Sequence, residues 1–176
     1  QASRDMVVIG HSMGGVLSRL MLSSSGDRLW DALLERYPLQ GRRLERVQKE
    51  VGPYVRFEPL PDVSRAIFVA APHRGTPFAE NRISRWAAGL VKLPASVLGR
   101  ITDVAQLLIV PGSANAEVLT RPLNSIDNLS SNDPFVRLSA DLPISPAVRY
   151  HSIIGNYTPA LSLLDSSDGV VPYSSA

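Results

Sequence analysis

The stretch Met6-Val7-Val8-Ile9-Gly10-His11-Ser12-Met13-Gly14-Gly15 constrains this chain more than any other. Residues 6–9 form a short, apolar, largely β-branched run, the pattern of a buried parallel strand. Residues 10–15 read as a turn, and Val16, Leu17, Leu20 and Met21 then recur at the spacing of a helix buried on one face. Strand, tight turn and helix follow one another without a linker. A turn this sharp puts Ser12 in a strained backbone conformation and lifts its hydroxyl above the carboxyl end of the sheet. Side chains at positions 10 and 14 are expected to collide with the neighbouring strand and helix, which accounts for Gly10 and Gly14; Gly15 lets the helix pack closer still. The N–H of Met13 opens the helix, where backbone donors favour negative charge. Two other readings of the same residues are a glycine-rich turn with an incidental serine and a phosphate-binding loop, although no Lys-Ser or Lys-Thr follows the glycines.

The remaining chain alternates apolar runs with longer connections. Helical spacing covers Leu29, Leu33, Leu34 and Tyr37, breaks at Pro38 and Gly41, and resumes at Arg42. Residues 57–61 read as a loop, and residues 65–71 and 150–155 as further strands. The fold class is therefore α/β, a parallel sheet flanked by helices. Residues 76–146 are too long for a plain crossover. They carry amphipathic pieces at 83–93 and 97–110 and are expected to form a mostly helical cap or lid insertion, the alternative being a decorative insertion.

Composition limits the partners. The chain has 176 residues, 44% hydrophobic and 19% charged, enough for one domain with a real core. Its net charge of +2 gives no electrostatic case for nucleic acid. The local cluster Arg42, Arg43, Arg46 and Lys49 is interrupted by Glu45 and Glu50 and fits a charge-paired, solvated helix face. There is no cysteine, so disulfides and thiolate metal sites are excluded. No apolar run approaches the roughly 20 residues of a membrane span. Residues 1–5 are not a signal peptide, and location stays open.

Two further blocks accompany the elbow: Ala71-Pro72-His73-Arg74-Gly75-Thr76, and Ser167-Asp168-Gly169-Val170-Val171-Pro172. Together with Gly10-His11-Ser12-Met13-Gly14-Gly15 they resemble the α/β-hydrolase superfamily, and within it bacterial lipase- and esterase-type proteins. The run Phe57-Glu58-Pro59-Leu60-Pro61 and Asn124-Ser125-Ile126-Asp127-Asn128-Leu129 are similar to a proteobacterial group of lipase-like hydrolases. The resemblance implies a partial α/β-hydrolase domain over 1–176, with a nucleophile at Ser12, an elbow of Gly10, His11 and Gly14, an oxyanion N–H at Met13 and an acid at Asp168. It implies cleavage of carboxylic esters, of small molecules or lipids, with no metal and no organic cofactor.

A serine hydroxyl needs a histidine base, and that histidine a carboxylate. Asp168 follows the last strand on a turn that Gly169 permits; Asp165 competes, and a plain turn-forming Asp-Gly pair is the alternative. Among three histidines, His11 lies inside the elbow, while His73 and His151 precede the acid, the wrong chain order for this fold. Both are expected to be structural, hydrogen-bonded histidines. The base is expected beyond Ala176 and the second oxyanion donor before Gln1, as in a fragment whose uncovered sheet edge self-associates. Acyl transfer to another acceptor, thioester hydrolysis, a serine peptidase or amidase, and a catalytically inert remnant remain open.

Overall fold

The computed structural model describes residues 4–76, 134–158 and 162–176. The amphipathic pieces at 83–93 and 97–110, and the block at 124–129, lie outside the described residues. Among those described, strands Met6–His11 (β1), Val63–Val69 (β2) and Arg149–Ile153 (β3) form one sheet in the order β1-β2-β3, parallel throughout. Helices Met13–Met21 (α1), Arg28–Arg36 (α2), Gly41–Glu50 (α3) and Gly52–Val55 (α4) connect β1 to β2, and Pro134–Ala140 (α5) precedes β3. The α/β architecture thus matches the sequence pattern.

The boundaries differ for local reasons. β1 continues through Gly10 and His11, which pair with Phe68 and Val69, and α1 already begins at Met13. The turn is therefore Ser12 alone. β2 stops before Ala70, whose φ of 46° takes the chain out of the sheet ahead of Pro72. The break at Pro38 and Gly41 falls between α2 and α3, as expected.

One face of the sheet carries the core. Ala66, Phe68, Ala71, Val63, Leu22 and Val148 are buried together, with Met6, Val8 and Ile144 packed against them. Val63 and Ala66 both point inward despite their spacing, because the register shifts between Met6 opposite Val63 and Val7 opposite Arg65. That irregularity absorbs one residue, as a bulge does. A second cluster, Trp30, Leu39, Val47 and Val51, seals the helices between β1 and β2. The Arg56 guanidinium stacks 4.5 Å above the Trp30 ring and its Nε lies 2.6 Å from Asp27. On α3, Arg42, Glu45, Arg46, Lys49 and Glu50 are exposed and only Val47 is buried, the solvated face expected.

The chain returning at α5 is clamped to this body. Arg19 of α1 donates to the carbonyls of Ala140 (2.7 Å) and Leu142 (3.2 Å), and Arg28 to that of Asp141 (3.0 Å). Cations at a helix carboxyl end satisfy its orphan carbonyls and favour its dipole. Backbone bonds Ser24 N–H to Pro143 O and Ser145 N–H to Leu22 O extend the clamp through residues 143–145.

The opposite face of the sheet is open. Val7, Ile9 and Ile153 are 52%, 67% and 54% exposed, where a parallel sheet is ordinarily covered on both sides. Among the described residues no helix is long and apolar enough to cross a membrane. The open face, and the side of β1 that no strand pairs with among the described residues, are expected to drive association. Multi-angle light scattering should show species larger than a monomer at high concentration, diminished in Ile9→Thr; a single monomeric peak for the unaltered chain over the whole concentration range would count against this.

Candidate functional site

Close backbone approach builds the elbow. A Cβ on Gly10 would come 2.5 Å from the Gly15 Cα and 2.7 Å from Ser18 Oγ. A Cβ on Gly15 would fall on the Ala71 Cβ. A Cβ on Gly14 would meet nothing within 4 Å. The steric reason for glycine therefore holds at positions 10 and 15 and is corrected at Gly14, which faces open space.

With α1 held this close to β1, Ser12 must reverse the chain by itself. It does so at φ 54°, ψ −128°, a conformation that costs a non-glycine residue about 1–3 kcal/mol. Its N–H donates to Val69 O at 2.9 Å, and its carbonyl accepts from Gly15 N–H at 2.9 Å. Serine at a helix start ordinarily caps the helix with its hydroxyl. Here Ser12 makes no such bond, and its side chain is exposed. Met13 N–H, at the first helical position, has no acceptor within the helix. The exposed Ser12 side chain and the helix-start donor of Met13 thus belong to adjacent residues.

Ala70 and the strip that follows lie at the same carboxyl edge. Ala70 N–H donates to Ile153 O at 2.8 Å, so the strip crosses the end of β3. Beyond β3, Asp168 sits on a turn with Gly169 at φ 96°. Its Oδ1 accepts from Val170 N–H (2.9 Å) and Val171 N–H (2.7 Å), using both lone pairs of that oxygen. Gly155 lies against it; a Cβ there would be 3.5 Å from the Asp168 Cβ. Ser12 and Asp168 thus stand at one edge, beyond strands two spacings apart, about 9–10 Å. The competitor Asp165 lies in the exposed 3₁₀ turn Leu163–Asp165.

The Asp168 loop is tied to the strip by bonds that no local pattern announces. Thr76 Oγ1 donates to Val170 O at 2.6 Å, Arg74 N–H to Ser175 O at 3.2 Å, and Ser175 Oγ to Gly75 O. Thr76 was read only as part of a block, and Ser175 not at all.

Among the described residues no hydrogen bond joins a histidine to the Ser12 hydroxyl. His11 and His151 are exposed on strands whose odd-numbered positions line the open face of the sheet. His73 is buried, 6% exposed, with its ring edge-on to Phe68 at 4.8 Å. Neither of its ring nitrogens has a hydrogen-bond partner among the described residues, which corrects the expectation of a hydrogen-bonded histidine. His151 likewise shows no hydrogen bond among the described residues. Burial, reinforced by the nearby Arg19 guanidinium, pushes His73 down from 6.5 to about 4. Among the described residues no group of His, Asp or Glu could hold a metal ion.

Two predictions follow from this geometry. Gly10→Ala and Gly15→Ala should each destabilise the fold by about 1–3 kcal/mol through overpacking. Gly14→Ala should instead stabilise it by about 0.5–1 kcal/mol, as a helical position with free space. Urea melts of the three variants distinguish these outcomes. Because His73 is harder to protonate folded than unfolded, the unfolded chain binds the extra proton. Stability is complete above about pH 6.5 and falls as pH drops toward about 4, by about 3 kcal/mol. Unfolding free energies measured across that window should lose this component in His73→Phe.

No protein-family model matches this chain, and no curated protein matches its sequence.

Proposed function

We propose that Ser12 is the nucleophile of a serine hydrolase that acts on carboxylic esters, of the lipase or esterase type, on an α/β-hydrolase fold. The observation that carries this reading is the backbone of Ser12: a strained, positive-φ serine between a parallel strand and a helix, its hydroxyl uncommitted to a cap. A chain that needed only a turn there would use glycine without strain. In the proposed reaction Ser12 Oγ attacks the ester carbonyl, the Met13 N–H stabilises the tetrahedral oxyanion, and collapse of that intermediate expels the alcohol and leaves an acyl-enzyme that water then hydrolyses. Asp168 orients the histidine that takes the Ser12 proton. The parallel order β1-β2-β3, with the acid after β3, supports that pairing.

His11 and His151 on the open face and His73 in the core are poorly placed as the base, so the reading assigns that role to none of the three. The same Ser12 chemistry serves transfer to an acceptor other than water, or a thioester; product analysis separates these.

The test is acylation by p-nitrophenyl acetate. Residual catalysis without a triad base still exceeds water by about 10³–10⁴ where the oxyanion donor and binding remain. Peptide mapping should therefore find slow acetylation at Ser12, absent in Ser12→Ala and unaffected in Asp168→Asn. Labelling spread over the chain's other serines would overturn the nucleophile assignment. Rapid turnover lost in Ser12→Ala would make His73 or His151 the base.

A further inference from the structure

The carboxylate of Asp168 is not held by its own turn alone. Its Oδ1 takes two N–H donors, and one of them belongs to Val170. The carbonyl of the same residue accepts the Thr76 hydroxyl at 2.6 Å, across 94 positions of sequence. Thr76 is buried, and so is Ser175, whose hydroxyl donates to the carbonyl of Gly75 next to it. Arg74 N–H donates back to Ser175 O. The strip after β2 and the turn after β3 are thus stapled twice, on either side of Asp168.

We infer that Thr76 is a positioning residue for Asp168. Its hydroxyl fixes Val170, whose N–H fixes the carboxylate. With both lone pairs of Oδ1 used, and no bond to Oδ2 among the described residues, Oδ2 is the oxygen left to accept a proton donor. This inference rests on the reading of Asp168 as the acid; without that reading Thr76 still orders the turn, but the order serves no catalysis. Rotation of a carboxylate away from its partner is a small movement with a large effect, since misplacement by about 1 Å costs about 100-fold in rate.

The experiment reads Asp168 directly, independently of turnover. In ¹H–¹⁵N spectra of the whole chain, the Val170 and Val171 amide protons should shift together as the Asp168 carboxylate titrates, and Asp168→Asn should remove that shift. Thr76→Ser, which keeps the hydroxyl, should leave it intact. Thr76→Val should reduce the Val170 shift by about half or more, because hydrogen bonds weaken steeply once their geometry is lost. Ser175→Ala, which loosens the strip from the other side, should reduce it less. Should Thr76→Val fail to fold, Ser175→Ala carries the test by itself. A Val170 shift unchanged in Thr76→Val, or in Ser175→Ala where the first variant is unfolded, overturns the inference. The Ser12 acylation experiment fails or succeeds separately, so a wrong acid staple and a wrong nucleophile give different results.

Discussion

The contact of α1 with β1 is the constraint on which the rest depends. Gly10 and Gly15 bring a helix and a strand to backbone contact, and Ala71 closes the third side. Once they touch, the link between them has room for one residue, and Ser12 takes the conformation that this requires. Its N–H then falls on Val69 O, which holds the end of β1 level with the end of β2. Strain at Ser12 persists because packing on both sides over-determines it.

A second strained residue repeats the device one strand over. Ala70 leaves β2 at positive φ while its N–H holds β3. Two adjacent parallel strands therefore end in backbone that an ordinary residue avoids, and both ends open onto the same edge. The buried side of the sheet supplies the rigidity for this, through Phe68, Leu22 and Ala71. The chemistry proposed at Ser12 draws on the same arrangement: an oxygen and an N–H held without help from their own side chains.

What the sequence made legible was local. The elbow was readable because strand, glycine turn and helix lie within a few residues, and the parallel sheet because each strand is a short apolar run. The register shift at Met6 and Val7 was not, since it is a property of two segments far apart. Gly14 looked like Gly10 by symmetry about Ser12, yet the space on the two sides differs. His73 looked like a polar residue in need of partners; its surroundings keep it neutral and stack it on Phe68. Thr76 and Val170 could not be matched by any pattern, because their bond spans most of the chain. The open face was also hidden, because Val7 and Ile9 have the composition of buried strand residues whether or not anything covers them.

The clamps on Thr76 and on α5 have a consequence for how such a chain can change. The strip ending at Thr76 is fastened to the Asp168 turn, and the segment after α5 is fastened by Arg19, Arg28 and the residues around Ile144. The described chain is thus fastened to the body on both flanks, at Thr76 and after α5. Change in sequence away from these bonds can therefore proceed while the Ser12 turn, the strip and the Asp168 turn keep their places, because the bonds that hold them lie within the described residues.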